Sequence, residues 1–351
     1  MAMRVGVTFG FRNPEGSGED WGRFYGRALE LIDEVDELGY DAVWLSEHHF
    51  APDGYCPSVL AVAAAIAART RRVRIGTNVV VLPIHHPLRI AEDGAIVDAI
   101  SAGRFELGVG AGYREEEFGA FGVPLSSRAG RLGEGIELIR RAWTEPVVEF
   151  AGEHFRVDGL AVRPQPVQSP PPIWIGARAK VATRRAGRIG DGFIISRGRE
   201  QVRWFCEAAE EAGRDPDALG LATIRVVHVA DTREQALAEI GAGILYHENG
   251  YTGWFKKADD LESDKDRSGF ASVADLPVDH YVLGDPDTVV AQLLQLQHDY
   301  GFNELILWGR LPGVPWEVAR RSLQRISAEV LPRLRAAELR PPSSVAKGAI
   351  S

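Results

Sequence analysis

Cysteine is almost missing from this chain. Its two copies, Cys56 and Cys206, stand far apart and in no CxxC or metal-ligand spacing, so a disulfide framework is not indicated. Long hydrophobic runs are missing as well. The most apolar stretch, Val59–Ala68, is too short to span a bilayer and runs into Arg69 and Arg71. A surplus of positive charge is the third absence: 40 Lys and Arg stand against 49 Asp and Glu, for a formal net charge of −9. That balance argues against a nucleic-acid partner and against an anionic membrane surface. No signal-peptide pattern is seen at the N-terminus, where a strand-like segment, Arg4–Gly10, begins almost at once. The expected setting is a reducing cytoplasm.

The chain does have the composition of an ordinary globular protein, with 45% hydrophobic and 25% charged residues over 351 positions. Short β-branched runs alternate with longer helical patterns for most of that length. Strands are predicted at Arg4–Gly10, Ala42–Ser46, Val73–Leu82, Phe105–Gly110, Ile173–Gly176, Gly192–Ser196, Leu221–Ala230 and Glu304–Trp308. The helices between them are Trp21–Leu38, Ser58–Thr70, Pro87–Ser101, Arg131–Thr144, Val181–Ile189, Gln201–Ala212, Glu234–Leu245 with Pro286–Tyr300, and Pro315–Ala336. The strands are too apolar to leave one face in water, which suits a parallel sheet covered by helices. Eight consecutive units favour a closed (β/α)₈ TIM barrel over an open sheet, because closure removes the edges.

Some segments do not fit the repeat. Val147–Pro172 reads as a short hairpin plus a proline-rich connector. Asn249–Gly284, after strand seven, reads as a lid-like insertion over the mouth. The expected domain is a single barrel over 1–337, with 338–351 as a disordered tail.

In such a barrel, chemistry collects where the strands end. Strand two runs out through Ser46-Glu47-His48-His49-Phe50, and strand three through Pro83-Ile84-His85-His86-Pro87. Adjacent histidines on a strand point to opposite sides, so at most one of His48 and His49 faces the mouth. The His85-His86 pair precedes Pro87 at a helix start and reads first as turn and capping structure. Strand four ends Gly108-Val109-Gly110-Ala111-Gly112-Tyr113. These glycines are not a dinucleotide fingerprint, because Glu115, Glu116 and Glu117 at the next helix start would repel a pyrophosphate. They read instead as allowing a flat ligand or a neighbouring backbone to approach closely.

These residues resemble the bacterial luciferase-like flavin-dependent monooxygenases. The resemblance rests on Val43-Trp44-Leu45-Ser46-Glu47-His48-His49-Phe50, on Val81-Leu82-Pro83 with His86-Pro87-Leu88-Arg89, and on Gly103-Arg104-Phe105; weaker similarity covers almost the whole barrel. It implies a flavin, FMN used as FMNH₂, or in some branches a deazaflavin, at the C-terminal mouth. The isoalloxazine would rest on a non-proline cis peptide at Asn78–Val79. Its phosphate would lie near Gly112, Tyr113, Gly176, Ala177 and Arg178, with Ser196 closing the same side. His48 is implied as the catalytic histidine, with Glu47 orienting it or serving the fold on the other face. No metal ligand is implied.

The sequence also departs from luciferase. Ala111 replaces an arginine, Gly110 a reactive cysteine, and Arg178 and Ala179 stand where acidic and hydroxyl residues occur. The phosphate must therefore be held differently, by Arg178 with help from Lys180 or Arg197.

The leading reading is a monooxygenase that uses FMNH₂ and molecular oxygen on a small organic substrate, with the reduced flavin supplied by a partner reductase. The alternatives are a deazaflavin-dependent dehydrogenase on the same barrel, a metallohydrolase using His48, His49, His85 and His86, and a non-catalytic flavin binder. The alanine-rich Ser58–Thr70 helix, with Pro87–Ser101, is expected to form a homodimer interface.

Overall fold

A computed structural model describes residues 2–196, 198–256 and 269–348. Eight parallel strands form the barrel: β1 (Arg4–Phe9), β2 (Ala42–Leu45), β3 (Arg74–Thr77), β4 (Phe105–Gly110), β5 (Ile173–Ala177), β6 (Gly192–Ile195), β7 (Gly220–Arg225) and β8 (Glu304–Trp308). Each pairs with the next, and β8 closes on β1 from Arg4↔Glu304 to Thr8↔Trp308. All eight expected strands are present. The third is interrupted: it stops at Thr77 and resumes as Val80–Val81, which pairs with the end of β4. The Asn78–Val79 peptide bond at the interruption is cis.

The outer layer consists of α1 (Trp21–Glu37), α2 (Val59–Arg69), α3 (Pro87–Ser101), α4 (Arg128–Thr144), α5 (Lys180–Ile189), α6 (Arg199–Glu211), α7 (Arg233–Lys256), α8 (Pro286–Tyr300) and α9 (Trp316–Arg325). Local chemistry sets their starts. Asp20 accepts from the Arg23 N–H ahead of α1, and Asp285 accepts from the Asp287 and Thr288 N–H groups ahead of α8. β2 and β4 are buried at every position, as a sheet covered on both faces requires. The main core lies between the strands and this helical layer.

Inside the barrel, Trp44 and Trp174 meet edge to face, with ring centroids 5.5 Å apart. Glycines on neighbouring strands make room for them. A Cβ at Gly76 would lie 2.3 Å from Trp44, and one at Gly192 would lie 2.2 Å from Trp174. At the N-terminal end, the Trp44 indole N–H donates to Glu304 Oε1 at 2.8 Å, and Arg4 pairs with both Glu304 and Glu106. This filled floor leaves the C-terminal mouth as the side on which a ligand enters.

Three expectations change in detail. Strand seven ends at Arg225, and Val227–Val229 instead pairs with Val282–Gly284 in a small parallel ladder outside the barrel. The start of the supposed insertion is helical, because α7 runs on to Lys256 and carries Tyr251 and Trp254 over the mouth. Residues 257–268 of that segment lie outside the described residues. The tail is not structureless as far as it is described. Pro342–Gly348 is a short helix whose Pro342 and Val345 are buried, because these two apolar side chains find a surface beside Gly301. The hairpin is formed by Val148–Ala151 and Arg156–Leu160.

Candidate active site

The ends of β2 to β6 surround a cavity of about 490 Å³. All nine residues singled out from sequence line it: His48, Asn78, Val79, Gly112, Tyr113, Gly176, Ala177, Arg178 and Ser196. Its floor is made by the break in β3. Val79 projects between β4 and β5, and a Cβ at Gly110 or Gly176 would come within 2.6 or 2.9 Å of its methyl groups. A Cβ at Gly108 would strike the Thr77 carbonyl oxygen at 1.8 Å. The strand-four glycines therefore clear the neighbouring strand rather than a ligand directly. Gly112 has a φ of 70°, a left-handed conformation that favours glycine.

His48 is buried, and a carboxylate other than the expected one serves it. Its Nδ1 lies 2.9 Å from Glu117 Oε1, while Glu47 faces away from it. Glu117 comes from the short helix Glu115–Ala120, where Glu115 and Glu116 are exposed and Glu117 is fully buried. Burial alone would raise its pKa. Hydrogen bonds from His48 and the His49 N–H, with the charge of Arg114, outweigh burial and hold the carboxyl below its ordinary value. An ionised Glu117 accepts only, so the proton sits on His48 Nδ1 and Nε2 keeps its lone pair. That lone pair points toward the Tyr113 hydroxyl at 3.5 Å. Burial, assisted by Arg114, lowers the His48 pKa against the opposing pull of Glu117. The imidazole is thus neutral near pH 7.

Arg114 locks this arrangement. Its Nη1 donates to Glu117 Oε1 at 2.8 Å and to the His49 carbonyl at 2.6 Å, and its guanidinium lies over Trp254, 4.5 Å from the ring centroid. Trp254 and Tyr251 in turn contact His48, at centroid distances of 4.7 and 6.0 Å. The Tyr251 hydroxyl lies 2.8 Å from that of Tyr55. Beside them, Arg12 of the β1 loop forms a buried ion pair with Asp53 at 2.6 Å and lies 5.7 Å from the Trp254 ring centroid.

The other histidines divide by role. His49 and His85 both turn their Nε2 atoms onto Glu47 Oε1, at 3.0 and 2.8 Å, and the Val81 N–H donates to Oε2 at 2.5 Å. These contacts outweigh burial and hold the Glu47 carboxyl down at about 2. Among the described residues, Glu47, His49 and His85 are the group whose potential ligand atoms all lie within 4.8 Å of one another. With three donors on one carboxylate, the cluster is satisfied as a hydrogen-bonded brace. His86 caps α3 by accepting from the Leu88 N–H at 3.3 Å.

The positive charge near Arg178 is also distributed differently. Lys180 turns to the Trp204 ring at 5.6 Å, and Arg197 lies outside the described residues. Arg128 and Arg185 line the cavity together with Arg178. Ser196 Oγ donates to the Ala177 carbonyl at 2.8 Å and ties β6 to β5 at this rim. A cavity of this volume, with a glycine-cleared floor and three arginines in its lining, fits a flat heteroaromatic ring that carries a phosphate.

A family model for luciferase-like monooxygenases matches residues 3–304. The chain belongs to this family. Among the relatives of this luciferase-like protein is the 4-hydroxyprotoasukamycin monooxygenase of Streptomyces nodosus subsp. asukaensis. It is 30% identical over 330 residues, covering 90% of this chain and 88% of the relative. An F420-dependent glucose-6-phosphate dehydrogenase of Amycolatopsis mediterranei is 33% identical over 332 residues, covering 88% and 94%. The crystal structure of the monooxygenase RslO1 from Streptomyces bottropensis superposes with a TM-score of 0.81 at 28% identity, over 94% of this chain and 99% of that one. Relatives of the luciferase-like chain thus include both monooxygenases and F420-dependent oxidoreductases, and the chain is an oxidoreductase of this type. None of its helices, among the described residues, is long and apolar enough to cross a membrane.

The sequence reading missed Glu117, Arg128 and Arg185 as site residues; Tyr251 it gave only as an aromatic anchor of the insertion over the mouth. For Glu117 a signal existed: it directly precedes Phe118, and both are buried on one face of the short helix. Arg185 offered none, since its pattern is that of a solvated helix face.

Proposed function

We propose that this chain is the oxygenating component of a two-component monooxygenase, with reduced FMN in the 490 Å³ cavity and molecular oxygen and a small organic substrate as co-reactants. The observation that carries the reading is the convergence of a glycine-cleared floor, three arginines and the His48–Glu117 pair on one cavity. When bound, reduced FMN supplies the electrons that activate oxygen. Asn78 and Val79 support the ring, and Arg178, Arg128 and Arg185 hold the phosphate. Gly112, Tyr113, Gly176, Ala177 and Ser196 shape the passage between ring and phosphate. His48 acts as a general base through Nε2, with Glu117 fixing its tautomer and Tyr113 as the neighbouring hydroxyl. Burial and Glu117 keep Tyr113 protonated, with its pKa well above 10.

Tyr251 and Trp254 pack against His48 and exclude water from the reacting groups. A partner reductase supplies the reduced flavin, because the strand-four glycines lead into Glu115–Glu117 rather than into a pyrophosphate site.

A second reading, a deazaflavin-dependent dehydrogenase, is favoured by the 33% identity to an F420-dependent relative. Rapid mixing separates the two. Protein loaded with reduced FMN and mixed with oxygen should reoxidise along a course distinct from that of free reduced FMN. Indistinguishable traces would defeat the monooxygenase reading.

A further inference from the structure

A second, larger cavity of about 760 Å³ lies beside the first, between the ends of β6 to β8 and helices α7 and α8. Ser196 and Ile224 line both cavities. One turn of α7 separates them. Tyr251 faces the first and His247 the second, with ring centroids 4.9 Å apart. The first cavity has the size of a site for one ligand of cofactor dimensions. On the cofactor reading above, an organic substrate needs adjoining space, and this cavity provides it.

Its chemistry is specific. Arg225, the last residue of β7, lines the wall. Its Nη1 donates to the Ile224 carbonyl at 2.7 Å, and the guanidinium lies over Tyr300, 5.6 Å from the ring centroid. Among the described residues it forms no ion pair. Arg233 on the same wall is paired with Asp279 at 2.8 Å, and Glu248 does not reach Arg225. A largely buried cation without an anion is costly, and burial lowers the Arg225 pKa accordingly.

His247 adds a second unmet group. It is 8% exposed, its ring packs on Trp308 at 4.5 Å, and its buried Nδ1 has no hydrogen-bond partner among the described residues. Burial, with the charge of Arg12, pushes its pKa down to about 3, so the imidazole is neutral. The cavity therefore presents the uncompensated Arg225 guanidinium and the neutral His247 imidazole beside the rings of Tyr281, Tyr300 and Trp308, with His280, Glu248 and the Arg233–Asp279 pair also on its wall.

We propose that this second cavity is the substrate compartment, and that Arg225 with His247 selects an organic substrate bearing a carboxylate or phosphate group. The anionic end anchors against Arg225, and the reacting end crosses the Ser196–Ile224 rim into the first cavity. Remote binding of this kind orients the reacting end without taking part in the chemistry. The role as substrate site rests on the cofactor reading, but anion binding does not.

The test is calorimetric titration of the full chain, with and without FMN, using benzoate, phenyl phosphate and neutral benzyl alcohol as probes. At least one anion should bind the wild type more tightly than benzyl alcohol does. Arg225→Gln should weaken that anion about 10- to 100-fold, the range for a charge-assisted hydrogen bond, and Arg225→Lys should weaken it less. Benzyl alcohol should respond to neither substitution. Tighter binding of benzoate identifies a carboxylate site, and tighter binding of phenyl phosphate a phosphate site. Equal anion affinity in the wild type and Arg225→Gln overturns the proposal, as does wild-type binding of neither anion. If Arg225→Gln does not fold, the wild-type ranking of the three probes and Arg225→Lys decide the matter. Arg225-dependent anion binding in a protein that takes no FMN would keep this site and sink the cofactor reading instead.

Discussion

Replacing His48 by alanine removes one imidazole and leaves its partner intact in charge. Glu117 Oε1 would still accept from Arg114 Nη1 at 2.8 Å and from the His49 N–H at 2.9 Å. No carboxylate is left stranded, so the folding cost is limited. One charge-assisted hydrogen bond, worth about 1.5–3 kcal/mol, and the ring's contacts with Tyr55 and Trp254 are lost. FMN affinity should change by only a few fold, because the three arginines and the Asn78–Val79 floor are untouched. Product formation should fall by roughly 10²–10⁴, the usual contribution of a positioned general acid or base. The assay couples an external flavin reductase to oxygen uptake and measures product and hydrogen peroxide separately. Oxygen uptake should continue while peroxide replaces product. Coupled turnover at the wild-type level would refute the reasoning. His49 is not placed to substitute, since its Nε2 is committed to Glu47 at 3.0 Å.

Four further outcomes are expected. Arg178→Ala should weaken FMN binding by about 1.5–3 kcal/mol and riboflavin binding much less; equal losses in equilibrium titrations would place Arg178 away from the phosphate. The His48 pKa is lowered by burial and held up by Glu117, and the neutral ring is the active form, so kcat/KM should decline only as pH falls below about 6.5. Glu117→Gln removes the charge that raises this pKa and should move that acid limb to lower pH, whereas a limb that stays in place would separate Glu117 from His48 function. Ile96 and Ile100 are 43% and 46% exposed on α3, next to the alanine-rich α2, so light scattering at micromolar concentration should give a dimer mass, and a monomer mass would exclude that interface.

The barrel was legible because its signals are local and repeated. Each strand is a short apolar run bounded by polar or glycine residues, and Pro87–Ser101 starts and stops where its proline and its apolar pattern indicate. The strand ends, read together with the resemblance to the luciferase-like family, point to nine residues that all line one cavity. What escaped depends on long-range folding. Glu117 and His48 are 69 positions apart and meet only because the short helix after β4 folds back over the end of β2. Glu47 was the nearer candidate in sequence, but the strand alternation that turns His48 toward the mouth turns Glu47 toward His49 and His85. The lid-like insertion was misread at its start because Asn249, Gly250 and Gly253 suggest a loop. Packing of Tyr251 and Trp254 on the mouth outweighs their low helix propensity.

The central claim is that the β4–β5 side of the mouth holds FMN rather than a deazaflavin. It is tested most directly by anaerobic titration of the purified chain with reduced FMN and, in parallel, with reduced F420, following the fluorescence of each. The account predicts saturable binding of reduced FMN, lost on adding excess inorganic phosphate more readily in Arg178→Ala than in the wild type, and weaker binding of F420. Tight binding of F420 with no binding of FMN would contradict it.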